Sequence, residues 1–143
     1  MTRKQLLKTA SALAVIGIAG KISAQDHSAH KAQGKKFANL AHRASMCIEA
    51  GNTCLRHCID MLASGDKSLV GCAKSVQDLI PVCNGLLALA ATESQFLKKY
   101  ASVCVEVCKA CEDECNKHAK KHAVCKECAD SCKDCLVELK KVA

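Results

Sequence analysis

Apolar and polar positions follow a helical period over four long stretches of this chain, separated by three short breaks. The breaks fall at Ser64-Gly65-Asp66, at Ala91-Thr92 and near residue 120, which leaves segments of roughly 37–63, 67–90, 93–118 and 121–141. Thr92 with Gln95 three residues later fits a capping box that opens the third helix. Connections this short suit antiparallel neighbours, so the expected fold class is all-α, an antiparallel up-down-up-down four-helix bundle. Pro81 removes one backbone bond from the second helix and predicts either a kink at Ile80 with widening near Cys83, or a plain helix end.

The residue that marks the inward face of each segment is cysteine. Each residue turns a helix by about 100°, so Cys104, Cys108, Cys111 and Cys115 fall within an arc of about 60°, and Cys125, Cys128, Cys132 and Cys135 within about 80°. Cys47, Cys54 and Cys58 share an arc of about 40°, and Cys72 and Cys83 one of about 20°. Residues facing one another across an antiparallel turn have position numbers with a constant sum. In the second hairpin, pairing 104 with 135, 108 with 132, 111 with 128 and 115 with 125 gives 239 or 240. In the first, 58 with 72 and 47 with 83 both give 130, and Cys54 faces Val76. The thiols are therefore expected opposite one another, in levels along one axis. Phe37, Leu40, Leu86, Leu87, Phe96, Leu97, Tyr100 and Leu139 fall toward the end that holds the 91–93 connection, where they form an apolar plug.

Composition agrees with helices. Among 143 residues there are 13 Cys, two Phe, one Tyr and no Trp, while Ala, Leu, Lys and Glu abound. Residues 1–24 are set apart as a signal peptide: MTRKQLLK is basic, ALAVIGIAG is apolar but too short to span a bilayer, and Ile22-Ser23-Ala24 ends in a small residue. TRKQLLK resembles the twin-arginine export motif with Lys4 in place of its second Arg, so folded and unfolded export both stay open. The expected localisation is the periplasm or another extracytoplasmic compartment. Cleavage after Ala24 leaves 17 basic and 14 acidic residues, a charge of +3, with no membrane span in the mature chain. The interleaved charges and the scarcity of aromatics make nucleic acid a poor partner. Residues 25–36 are polar without period and read as a flexible arm ahead of a domain at 37–143. The arm would begin Gln25-Asp26-His27, where a free amine with His at position three suits Cu(II) or Ni(II).

Three chemistries use thiols in this number. Disulfides form in exported proteins, but Cβ atoms one helical turn apart lie about 5–6 Å from each other where a bridge needs about 3.8 Å, so only bridges across hairpins remain. Zinc or cadmium held in metallothionein fashion is the second. A four-thiolate Zn(II) site carries two negative charges, and several stacked in a dry core with no cation on the stripes would repel. Cu(I) is the third: one ion per thiolate sums to zero, and a sulfur bridging two ions neutralises the column. Iron-sulfur clusters use loop spacings absent from these mid-helix CxxC pairs. No nucleophile-base pair, phosphate loop or paired carboxylates is visible, so an enzyme is not expected.

The stretches CVEVCKACEDEC, CKECADSCKDC and CIEAGNTCLRHC, with the sparse second helix bearing Cys72 and Cys83, resemble the bacterial copper storage protein family over residues 37–141. The resemblance implies a cysteine-lined bundle holding many Cu(I) ions per chain on all thirteen cysteines, an exported branch, a homo-oligomer (a tetramer), and a copper-enzyme client such as a methane monooxygenase. Met61, His118 and His122 fall near the stripes at the end shared by the turns near 65 and 120, where they are candidate ligands for copper entry. His57 points farther round and is expected at the surface, and Met46 lies off the stripe.

Overall fold

The computed structural model describes residues 36–142. The signal-peptide segment, Gln25-Asp26-His27 and nearly all of the arm lie outside the described residues. Four helices follow one another: α1 (Ala38–Ala63), α2 (Val70–Ala91), α3 (Leu97–Asn116) and α4 (Ala123–Leu139). α1 packs on α2 and α4, and α3 packs on the same two, so the helices stand at the corners of a square in up-down-up-down order. The expected all-α bundle is present, and among the described residues there is no strand.

A seven-residue rhythm produces this packing. The buried positions of α1 are Leu40, Ala44, Cys47, Gly51, Cys54 and Cys58, and those of α3 are Leu97, Ala101, Cys104, Cys108, Cys111 and Cys115. Steps of four and three keep one narrow seam facing the neighbours along nearly aligned helices. Gly51 lets α1 approach α2 closely: a Cβ there would meet Ile80 at 3.3 Å and Val76 at 3.5 Å. No polar or charged side chain is buried among the described residues. The charges sit outside in exposed pairs such as Arg43–Asp134, 2.9 Å apart, each worth at most about 1 kcal/mol.

Leu40, Leu86, Leu97 and Leu139 fill the core at the 92–96 end, with Phe37, Leu87 and Tyr100 half-buried against it. Phe96 departs from the expected plug and is 62% exposed, because Leu97, one residue on, takes the inward position. α2 runs unbroken through Pro81, which faces solvent, so the helix-end alternative is excluded. Past the proline, Tyr100 donates its hydroxyl to the Val82 carbonyl at 3.3 Å and lies over Gly85, where a Cβ would come within 2.4 Å of the phenol oxygen.

The helix ends differ from the sequence expectation at Thr92. Thr92 closes α2 by donating its hydroxyl to the Ala88 carbonyl at 2.9 Å, and α3 starts only at Leu97, with Ser94 Oγ accepting from the Phe96 amide at 3.2 Å. The reason is a left-handed reversal at Glu93, φ 51°, which lets the Ser94 amide reach Leu89 O at 3.0 Å and the Glu93 amide reach Ala90 O at 3.2 Å. α1 ends by the same motif. Gly65, φ 92°, donates to Leu62 O and Asp66 to Met61 O, each at 3.0 Å. A side chain at Gly65 meets open space, so its cost is conformational. Gly65→Ala is expected to destabilise the metal-free chain by about 1–2 kcal/mol, measured by urea unfolding, with no change in the number of free thiols.

Candidate metal centre

Thirteen cysteines are free and fully buried. Even Cys72 and Cys115 keep their sulfurs 3.5 Å apart, far beyond a covalent bridge. Heptad spacing on four helices carries every thiol to the seam, so the predicted stripes all converge.

Twelve of them, all but Cys104, form one continuous network. At the end of the 64–69 and 117–122 turns, Cys54 lies 3.6 Å from Cys72 and 3.8 Å from Cys125, and Cys58 joins them within a group of four sulfurs. Cys72 reaches Cys115, Cys115 lies 3.9 Å from Cys111, and Cys111 lies 4.0 Å from Cys128. Cys111, Cys128 and Cys132 form a further group of three, and Cys54, Cys115 and Cys128 another. Deeper still, Cys47 interacts with Cys108, Cys132, Cys135 and Cys83. Cys104 has no thiol partner among the described residues.

The level-by-level pairing expected for α3 and α4 is corrected here. Cys111 does meet Cys128, but Cys108 pairs with Cys135, Cys111 also with Cys132, and Cys115 with Cys128. The sulfurs interleave, with Cys111 seated between Cys128 and Cys132 and Cys128 between Cys111 and Cys115, because staggered side chains fill the seam better than eclipsed ones. The stagger leaves Cys104 fully buried outside the thiol network. Across α1 and α2 the expected pairs Cys58–Cys72 and Cys47–Cys83 both form. Cys54 turns toward Cys72 and Cys125 rather than Val76, whose side chain packs near Gly51.

Met61, His118 and His122 stand at the turn end, as their register requires. Met61 is half-buried against the core. His118 Nε2 is buried without a hydrogen-bond partner, 3.6 Å from Glu114 Oε1. His122 shares a hydrogen bond of 2.9 Å with His57, whose ring is half-buried rather than at the surface as expected. A single helix does not show this pairing, since His122 arrives from the α3–α4 turn. Ser131 was likewise missed. Its hydroxyl donates to Cys47 Sγ at 3.2 Å while the Cys47 thiol lies 3.3 Å from the Ser131 carbonyl, so α4 steadies the sulfur of α1.

Comparison with known proteins follows this geometry closely. The model of the copper storage protein family matches residues 33–143. The Cu(I)-bound copper storage protein BsCsp3 of Bacillus subtilis superposes with a TM-score of 0.64 at 26% identity, over 73% of this chain and 94% of that one. A cytosolic copper storage protein from Streptomyces lividans, solved with five coppers, gives 0.68 at 25% identity over 74% and 90%. A curated cysteine-rich protein of Bacillus subtilis, YhjQ, is 30% identical over 97 residues, 68% of this chain and 86% of its own length. The expectation of export is corrected by these relatives: the Streptomyces protein is cytosolic, which points to the cytoplasm, the compartment where thiols stay reduced. No helix among the described residues is long and apolar enough to cross a membrane.

Burial and mutual hydrogen bonding set the acidity of these thiols. Burial pushes Cys104 from 9.0 up to about 12, and burial also raises Cys58 and Cys125. Cys111 moves the other way, its thiolate accepting hydrogen bonds from Cys115, Cys128 and Cys132. For Cys104 the folded value lies above the unfolded one. Its contribution to stability is therefore full below pH 9, where the thiol is neutral in both states, and is lost as pH rises toward about 12. The reduced, metal-free chain should show its thermal midpoint falling over that window, and Cys104→Ala should make the fall shallower.

Proposed function

This chain belongs to the copper storage protein family, and from that premise we propose that its core thiols hold Cu(I) in a number close to the number of cysteines, for release to copper-dependent enzymes. The family is one of storage, not catalysis. The observation that carries the proposal is the continuous network of twelve buried thiols, with neighbouring sulfurs 3.5–4.0 Å apart in the contacts measured. Neighbours at that spacing lie close enough to share soft monovalent ions, and each Cu(I) that enters replaces one thiol proton. A column of Cu(I)–thiolate units is neutral. The absence of any buried cation among the described residues suits such a column and disfavours a series of dianionic sites.

The metal ligands in this reading are Cys47, Cys54, Cys58, Cys72, Cys83, Cys104, Cys108, Cys111, Cys115, Cys125, Cys128, Cys132 and Cys135. Met61, His118 and His122 serve entry at the turn end, where thioether and imidazole exchange Cu(I) more readily than thiolate. The opposite end is closed by leucine, which supports one-ended loading. The family resemblance supports a tetramer and a copper-enzyme client. Release follows the same path outward, sulfur to sulfur.

Anaerobic titration of the reduced chain against a chromophoric Cu(I) chelator is expected to saturate near one Cu(I) per cysteine, and a plateau of about a third of that would overturn the storage reading. Cys104→Ser should lower capacity by no more than about one ion, because its sulfur stands outside the network. Cys111→Ser, which interrupts contacts to Cys115, Cys128 and Cys132, should lower it by more. The triple variant Met61→Leu, His118→Ala, His122→Ala should keep the capacity and slow stopped-flow uptake roughly tenfold. Unchanged uptake would remove these three residues from the entry path.

A further inference from the structure

Among the described residues only one group brings four sulfurs together: Cys54 and Cys58 of α1, Cys72 of α2 and Cys125 of α4, all within 4.8 Å of one another. Three of its edges are 3.6 Å for Cys54–Cys72, 3.8 Å for Cys54–Cys125 and 3.9 Å for Cys72–Cys125. A Zn(II) ion with zinc–sulfur bonds of about 2.3 Å in a regular tetrahedron requires sulfur–sulfur edges of about 3.8 Å. The metal-free quartet already has three edges of this length, and the three edges to Cys58 lie within 4.8 Å. The two other groups offer three sulfurs each and leave a tetrahedron open.

Position decides whether the charge is tolerable. Four thiolates on one divalent ion leave two negative charges, which the deep core has nothing to offset. The quartet lies at the turn end, where α2 begins at Val70 and α4 at Ala123, so Cys72 and Cys125 both occupy the first turn of a helix. The positive end of the helix dipole acts within that turn and favours negative charge there. Cys54 and Cys58 precede the last turn of α1, which ends at Ala63, and escape the opposing field. Cys115, by contrast, sits in the last turn of α3 and is not in the quartet.

We propose that Cys54, Cys58, Cys72 and Cys125 form a tetrahedral site for one divalent ion of zinc type at the mouth of the thiol core, separate in chemistry from the Cu(I) column although built from some of the same sulfurs. As the ion enters, four thiols release four protons to solvent and four metal–sulfur bonds form, with no change in oxidation state. The site clamps α1, α2 and α4 at the turn end, where Leu69 alone among the leucines is fully buried. The proposal rests on the free thiols and their geometry, not on the storage reading.

Co(II) reports the geometry directly, since tetrahedral four-sulfur coordination gives intense visible ligand-field bands and sulfur-to-metal charge transfer. Titration of the reduced full chain with Co(II) should give that spectrum with one equivalent bound tightly, and Zn(II) should bleach it. Cys58→Ser should weaken binding at least tenfold and change the band pattern, whereas Cys104→Ser should leave it intact, with helical circular dichroism confirming that both variants fold. A weak octahedral spectrum, several equivalent ions per chain, or a spectrum unchanged in Cys58→Ser would each overturn the proposal. A Cu(I) titration of the same sample keeps the two readings apart: many Cu(I) without tetrahedral Co(II) overturns only the mouth site, and one Co(II) without Cu(I) storage overturns only the store.

Discussion

The whole arrangement depends on sulfur sitting where a bundle would otherwise place leucine. A cysteine at a seam position is small, so four such seams leave less apolar volume to bury and less dispersion energy than a leucine core. What they offer instead is a column of soft ligands within about 4 Å of each other, as in Cys111 and Cys128. Metal binding then supplies interactions that the metal-free core lacks, which couples loading to stability.

Stability and binding are accordingly segregated along the axis. Leucines 40, 86, 97 and 139 close one end and hold the helices together without metal. Cys104 belongs to that half though not by its chemistry: it is fully buried outside the thiol network, and burial is the main influence on its acidity. Toward the other end thiol density rises, the helix termini converge, and imidazoles from α1 and from the α3–α4 turn meet at His57 and His122.

Copper storage proteins of Bacillus subtilis and Streptomyces lividans superpose over about three quarters of this chain at roughly a quarter identity, so the bundle is shared although most residues differ. The Streptomyces protein is cytosolic, which speaks against the expected export; in that compartment thiols stay reduced. The basic and apolar composition of residues 1–24 is the sequence feature that predicts export.

Much of this was already legible in the residues. Cysteines at steps of three and four must share one face of a helix, so the four stripes, the all-α class, the plug at Leu40, Leu86, Leu97 and Leu139, and the pairs Cys58–Cys72 and Cys47–Cys83 all follow from helical geometry and a short turn. Other features waited for tertiary structure because they depend on how one helix slides against another. The half-turn stagger of α3 on α4 isolates Cys104, the reversal at Glu93 moves the start of α3 to Leu97, and the partners of His57 and Ser131 lie on elements distant in sequence. Periodicity along a chain fixes which way a side chain points around its own helix. Only packing, which minimises voids between neighbouring helices, decides its height against the next one, and that height determines which sulfurs share an ion.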